Sequence, residues 1–294
     1  MSNYVLCCCS TADLNHEWYD HRQIRTVPFH ISIDGHEYED DMDVTITQEE
    51  MFKEMLAGKE AHSSQVSTGA YEEFWEPILK EGKDVFHVTL SSGISGTLNS
   101  AMAARSELQE RYPDRRITLV DSLCGSSGYG MLVDLLADRR DEGMDMDELE
   151  KYAIAERGKI HHLVLSTDLT FLIKGGRVKP AAGLVGKMLN ICPLVEVATD
   201  GSLKVREKIR GSKRGIARQI EIMKERADGG EAYDGKCYIC YTDKALGETL
   251  RDQVEAAFPN LKGKVALFRT GATIAVHLGP GTVVLFFKGA QKDF

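Results

Sequence analysis

The sequence predicts an α/β protein of two domains. An N-terminal parallel-sheet α/β domain spans residues 1–168 with a small hairpin insertion at about 27–58, and a C-terminal α+β domain with a mainly antiparallel sheet spans 169–294. Three observations carry this reading. Short β-rich runs alternate with helical patterns through the first half, as βαβ units do. Near residues 165–175 the pattern changes to strands in closer succession, with no low-complexity linker between. A chain of 294 residues, 43% of them hydrophobic, has the length of about two domains and can bury a sizeable core.

In chain order, the strands of the first domain are Tyr4–Cys9, Val85–Leu90, Ile117–Val120 and His162–Ser166. Between them Tyr71–Lys80, Thr97–Arg111 and Tyr129–Arg139 carry apolar residues at three- and four-residue spacing, which predicts amphipathic helices. The stretch Val27–Val44 reads as a hairpin turned at Asp34-Gly35. In the second domain, strands Ile191–Val197 and Leu203–Ile209 flank Asp200-Gly201. A helix follows over Lys213–Arg226, then strands at Cys237–Thr242, Val265–Arg269 and Thr282–Lys288.

Composition narrows the function. Forty-five acidic against 36 basic side chains give a net charge of -9, which opposes non-specific attraction to nucleic acid or anionic membrane. No uncharged apolar run approaches the roughly 18 residues of a spanning helix, so no integral membrane segment is expected. The N-terminus lacks the basic and apolar regions of a secretion signal, and a cytoplasmic location is expected. Seven Cys, three of them adjacent at Cys7, Cys8 and Cys9, do not form a secreted disulfide framework and read as reduced thiols.

Several chemistries are missing. The segment nearest to a phosphate-binding P-loop, 181–188, lacks the first Gly and ends Gly186-Lys187-Met188 without the hydroxyl. His16 and His21 lie five apart, off a common helix face, which argues against zinc; no metal or cofactor is expected. Cys237 and Cys240 sit in a strand-like run where residues three apart face opposite ways, so core packing is their expected role. No GxSxG elbow is present.

What remains are hydroxyl- and glycine-rich segments at the starts of helices: Ser63–Gly69, Ser91–Thr97 and Asp121–Gly128. In an open α/β sheet, ligands bind beyond the carboxyl ends of the strands, so these segments are expected to meet at one edge. Helix N-termini present free N–H groups and partial positive charge, and hydroxyls donate to anions; such an edge suits an anion. Plain N-capping is the alternative for any single loop. In the second domain His277 lies in a Gly/Pro-rich turn, where it can donate to an anion or accept a proton. Basic residues gather at Lys174–Arg177 and Lys204–Arg214, a local reversal of sign that suits a phosphate or an acidic partner, or a solvated charged face.

Ser10-Thr11-Ala12-Asp13-Leu14, Ser63-Ser64-Gln65, the stretch from Ser91 to Ala101, Val120-Asp121-Ser122, Leu172–Val178 and HLGPG from His277 to Gly281 occur in the order found in the DegV family, and the sequence resembles that family over nearly its whole length. It departs at Cys9, where the family has Asp, and at Leu278, where the family has Thr. The resemblance implies a fatty-acid-binding protein and not an enzyme by itself. A long-chain fatty acid would be held with its carboxylate in the interdomain cleft by Ser63 or Ser64, Ser95 and His277, in a loop supported by Gly93, Gly96, Thr97 and Gly279. The acyl chain would enter an apolar tunnel to which Ala181–Leu189 is expected to contribute. It further implies a partner, a separate ATP-binding fatty acid kinase subunit that phosphorylates the carboxylate, with Arg177 and Arg210 near the partner or the phosphate. Two rivals stay open: an autonomous phosphatase or esterase for a small anionic substrate, and a lipid-transport module without a kinase, which would leave Arg177 and Arg210 dispensable.

Overall fold

The structure is a computed structural model that describes residues 4–179 and 190–293. It opens with β1 (Tyr4–Cys9), α1 (His16–His21), β2 (Arg25–Val27), β3 (His30–Ile33), β4 (His36–Glu39), α2 (Gln48–Leu56), β5 (Ala61–Ser64), α3 (Thr68–Lys80), β6 (Asp84–Thr89), α4 (Thr97–Arg111) and β7 (Ile117–Asp121). Four of these strands form a parallel sheet in the order β2-β1-β6-β7. The apolar run of β1 is buried at nearly every position, the mark of a strand covered on both faces. The insertion turns at Asp34-Gly35 with both residues at positive φ, as a two-residue hairpin requires. Strand β5, not read from the sequence, pairs with β3 to complete a separate antiparallel sheet, β4-β3-β5.

The chain continues through α5 (Ser126–Asp141), α6 (Met146–Glu156), β8 (Ile160–Ser166), α7 (Thr170–Lys174), β9 (Ile191–Val197), β10 (Leu203–Arg210), α8 (Ser212–Arg226), β11 (Cys237–Tyr241), α9 (Lys244–Ala257), β12 (Ala266–Arg269), α10 (Ala272–Leu278) and β13 (Thr282–Lys288). A second sheet runs β10-β9-β8-β13-β11-β12, antiparallel except at β11–β12. One expectation is corrected here. Residues 162–166 were read as a strand of the first sheet, whereas β8 lies inside the second, paired with β13 and β9. Every residue of β8 is buried, so its pattern carries no mark of which sheet it joins. The helix expected over Ala181–Leu189 lies outside the described residues.

The two sheets are joined through α5. Its residues from Ser126 to Asp134 are all buried, because the helix packs on β8, β11 and β13 of the second sheet and reaches the first through Tyr129, whose Oη accepts the Cys9 N–H and donates to Val88 O. One apolar core accordingly runs from Leu6, Phe86 and Val88 through Leu132 to Val164, Val284 and Phe286, and a second fills the space between the far face of the second sheet and α8 and α9. Within α5, Asp134 is buried yet anchored. Its carboxylate accepts from Tyr238 Oη at 2.6 Å and Trp18 Nε1 at 3.2 Å and pairs with Arg22 and Lys236. Burial pushes its pKa up, but the Lys236 charge and the hydrogen bonds from Lys236, Tyr238 and Trp18 together outweigh that, and the carboxyl is held below its ordinary value.

Candidate functional site

A cavity enclosing about 670 Å³ of atom-free space, its open mouth included, lies between the two sheets. One wall is the inner face of the β8–β13 ladder, where the pairs Val164–Val284 and His162–Phe286 succeed Ser166–Thr282. Four residues at about 3.3 Å each place the His162–Phe286 pair roughly 13 Å from the Ser166–Thr282 pair. Phe29, Leu90, Ile94, Leu172, Ile274 and Leu278 make further walls mainly apolar.

The polar groups gather where α7, α10, β5 and the 91–97 segment meet. Ser63 Oγ and His277 Nε2 are 2.7 Å apart. The sequence reading placed His277 in a turn; it stands instead in the last turn of α10, and the Gly/Pro-rich turn begins after it at Gly279. Helical placement holds the ring half-buried. Burial first, then repulsion from Arg177 and His62, depresses its pKa to about 4, so the imidazole is neutral at pH 7. Gly175 makes room for this ring, since a Cβ there would come within 2.3 Å of His277 Nδ1.

Ser95 lines the same cavity. Its Oγ accepts the N–H of Thr97, the first residue of α4, at 3.2 Å, although the N-cap of the helix is Gly96, and its own O–H donates to no described residue. Arg177 lines it too, half-buried, with Nε donating to Ile94 O at 3.3 Å and a terminal nitrogen donating to Gly175 O. Among the described residues no carboxylate comes within ion-pairing distance of Arg177. Its burial, uncompensated, lowers its pKa.

The structure thus brings Ser63, Ser95, His277 and Arg177 to one cavity, and Gly125 and Ser126 reach it from the third segment. It does not bring Ser64, which is exposed on the opposite face of β5. Consecutive strand residues point opposite ways, so only one of the two serines can face the cavity. Arg210 is exposed at the end of β10, about 23 Å along that strand from Leu203 in the cavity wall. Thr97 is buried against Tyr71 Oη at 2.8 Å, Gly96 sits beside Gln65, and Gly279 packs on Phe171; none of the three lines the cavity. His162, Thr273 and Phe29 line it without having been singled out. Cys9, at the family's Asp position, is buried with Sγ 3.3 Å from Tyr71 Oη and lies outside the cavity wall.

Gly93 acts at a distance from the ligand space. A Cβ on it would come within 2.4–2.7 Å of the backbone of residues 200–202, and beside it Ser91 Oγ donates to Gly201 O at 2.9 Å. The first half thereby grips the β9–β10 turn. Gly93→Ala is expected to cost about 2 kcal/mol by overpacking against backbone that cannot step aside, read as a lowered melting temperature. An unchanged melting temperature would show that the turn yields.

Fold and cavity together define an α/β protein with a mainly apolar chamber between its two larger sheets and a cationic, hydroxyl-bearing corner. The family model described as "Uncharacterised protein, DegV family" matches residues 9–289. A DegV domain-containing protein of Streptococcus pyogenes serotype M1 is 31% identical, covering 96% of this chain and 97% of its own. The chain belongs to the DegV family. Among solved structures, the fatty acid binding DegV family protein of Streptococcus agalactiae matches with a TM-score of 0.83 at 26% identity, over 99% of this chain and 100% of that one. The Streptococcus pneumoniae Fatty Acid Kinase (Fak) B3 protein loaded with linoleic acid matches with a TM-score of 0.83 at 22% identity, over 99% and 100%. No described helix is long and apolar enough to cross a membrane.

Proposed function

We propose that the protein binds a long-chain fatty acid, with the carboxylate at Ser63, Ser95, His277 and Arg177 and the acyl chain along the apolar wall of β8 and β13. The observation that carries this reading is Arg177, a half-buried guanidinium in an apolar cavity with no carboxylate partner among the described residues. A carboxylate supplied by the ligand would satisfy it, along with the Ser95 O–H, which donates to no described residue. Burying about 14 methylenes at roughly 0.8 kcal/mol each supplies a gross term near 11 kcal/mol, before the cost of association. Fatty acid loaded or binding relatives of the same fold support the reading. Denaturing extraction of freshly purified protein followed by lipid mass spectrometry should find fatty acid near one per chain. No fatty acid, together with no thermal stabilisation by added palmitate or oleate, would overturn it.

The finer part of the proposal is that the bound fatty acid is presented to an ATP-binding kinase partner in the cytoplasm and leaves as an acyl phosphate. Lys204, Arg206, Lys208 and Arg210 occupy alternate, exposed positions of the edge strand β10, a basic row on a protein of charge -9 that suits an acidic partner surface. Arg210→Ala should keep fatty acid affinity and lose most acyl phosphate formed with a cognate kinase and ATP, trapped with hydroxylamine. Wild-type yield would leave β10 as an ordinary solvated face. The short Ser63–His277 contact favours a second reading, a Ser–His esterase; turnover of a nitrophenyl ester by the protein alone, abolished by Ser63→Ala, would establish it.

A further inference from the structure

Asp13 and Asp40 are outside the cavity wall, yet both end on the helix that carries His277. Asp13 Oδ1 accepts the Gly271 N–H at 3.1 Å, and Asp40 Oδ1 accepts the Ala272 N–H at 2.8 Å. The two carboxylates press so closely on the start of α10 that a Cβ on Gly271 would come within 2.8 Å of one Oδ1 and 2.9 Å of the other. Both arrive from the first half of the chain, Asp13 just after β1 and Asp40 just after β4 of the insertion. They are 2% and 1% exposed, and among the described residues neither has a cation within ion-pairing distance. Their second oxygens are held by hydroxyls: Ser126 Oγ donates to Asp13 Oδ2 at 2.6 Å, and Ser10 Oγ donates to Asp40 Oδ2 at 3.0 Å. Of those serines, Ser126 lines the cavity, and Ser10 lies behind its wall, its Oγ accepting the N–H of Phe29, which lines it.

Two buried carboxylates with no counter-cation are costly to keep, and a helix this short needs at most one of them to cap it. Their geometry does more than cap. Bonded at adjacent residues from two separate segments, they fix both the position and the rotation of a short rigid rod. His277 lies about 7.5 Å further along that rod, so a tilt at its start moves the imidazole relative to Ser63. We propose that Asp13 and Asp40 are positioning residues for His277, holding α10 in the one orientation that sets its imidazole against Ser63 at the carboxylate end of the cavity. This rests on the fatty acid reading only for its effect on affinity; the placement of the ring is a separate matter.

The experiment uses the full chain, stripped of lipid, with palmitate as the probe. Asp13→Ala and Asp40→Ala should each weaken palmitate binding roughly tenfold, and should move the His277 titration, followed by NMR of the ring, upward from about 4 as the ring leaves its packed place. Asp13→Asn and Asp40→Asn keep a carbonyl acceptor for the helix N–H groups and should restore both readouts. Alanine variants that fold but leave the His277 titration and the affinity at wild-type values overturn the proposal, whatever their melting temperatures. Should they not fold, Ser10→Ala and Ser126→Ala loosen the same carboxylates more gently. A shift in the His277 resonances then supports the proposal, and no shift overturns it. His277→Ala measured alongside separates the two readings. If it leaves palmitate affinity intact, the carboxylate site has failed, and the ring titration in the Asp variants still decides the positioning role.

Discussion

Replacing Arg177 by methionine should weaken fatty acid binding about 100-fold while leaving the melting temperature unchanged or raised. The two halves of that expectation have one cause. Among the described residues the half-buried guanidinium has the carbonyls of Ile94 and Gly175 as acceptors, and burial already disfavours its charge. Methionine keeps the apolar length of the side chain and removes a charge that has no carboxylate partner among the described residues, so the fold loses little. With ligand present the same charge would pair with the carboxylate in a poorly hydrated corner, where breaking one member of a pair costs about 3 kcal/mol. Isotherms for palmitate and for its methyl ester test this directly. The unmodified protein should prefer the acid strongly, and Arg177→Met should bind both alike. A variant that still prefers the acid, or that is unstable, would place Arg177 in the scaffold instead.

Acidification should unfold the protein well above the pH at which its surface carboxylates titrate. His87, His161 and His162 are buried, at 0%, 3% and 3% exposure. Burial lowers the pKa of His87 to about 3 and of His161 to about 4, and holds His162 well below its ordinary value. A base whose folded pKa is depressed binds its proton more readily in the unfolded chain. Its stabilising share is complete above about pH 6.5 and is lost as pH falls toward the folded value, at roughly 1.4 kcal/mol per pH unit. With His277, depressed to about 4 in the same way, four such groups give up to about 6 kcal/mol per unit, against a typical total of 5–15 kcal/mol. Asp13 and Asp40 act in the opposite sense: burial, with mutual repulsion at Asp13, raises their pKa values, so their cost eases as pH falls and offsets part of the loss. Denaturant titrations between pH 6 and 4.5 should therefore show a steep decline in stability. In His87→Gln, which cannot take up the proton, the slope should be shallower by about 1.4 kcal/mol per unit, whatever the variant's stability at neutral pH. Equal slopes would mean that His87 is protonated in the folded protein.

Much of the fold was legible because the first sheet alternates cleanly with its helices, and because Asp34-Gly35 and Asp200-Gly201 announce their turns. The failures have physical causes. A strand buried on both faces, like β8, shows no alternation and so no preferred sheet. Its partner β13 lies more than a hundred residues on, and no local pattern reports so distant a pairing. His277 was read into a turn because Gly279 and Pro280 follow it closely, whereas the apolar run from Ala272 to Leu278 is enough for two turns of helix. At the site, the three hydroxyl-rich segments do converge, but the choice between Ser63 and Ser64 needed the pairing of β5 with β3, which fixes the face each presents. Arg177 stood out as part of a basic run and, through the family resemblance, as a residue near the partner or the phosphate; that no described carboxylate pairs with it is a fact of three dimensions. Asp13 and Asp40 gave no signal beyond the signature stretch containing Asp13, since their common target, the start of α10, lies far along the chain from both.

The place of β13 also orders events during synthesis. All four strands of the first sheet have left the ribosome once β7 emerges, so that sheet can pair while translation continues. The second sheet cannot close in the same way. Its strands β8 and β11 are joined only through β13, so until residues 282–288 appear the nascent chain carries β8–β9–β10 and β11–β12 as two fragments. Each fragment presents an unpaired apolar edge, at CYICY on one and IHHLVLS on the other, and such edges invite mispairing with other chains. The chamber between the halves lacks a wall for the same interval, and a ligand has nothing to enter until the final strand slides into the middle of the sheet.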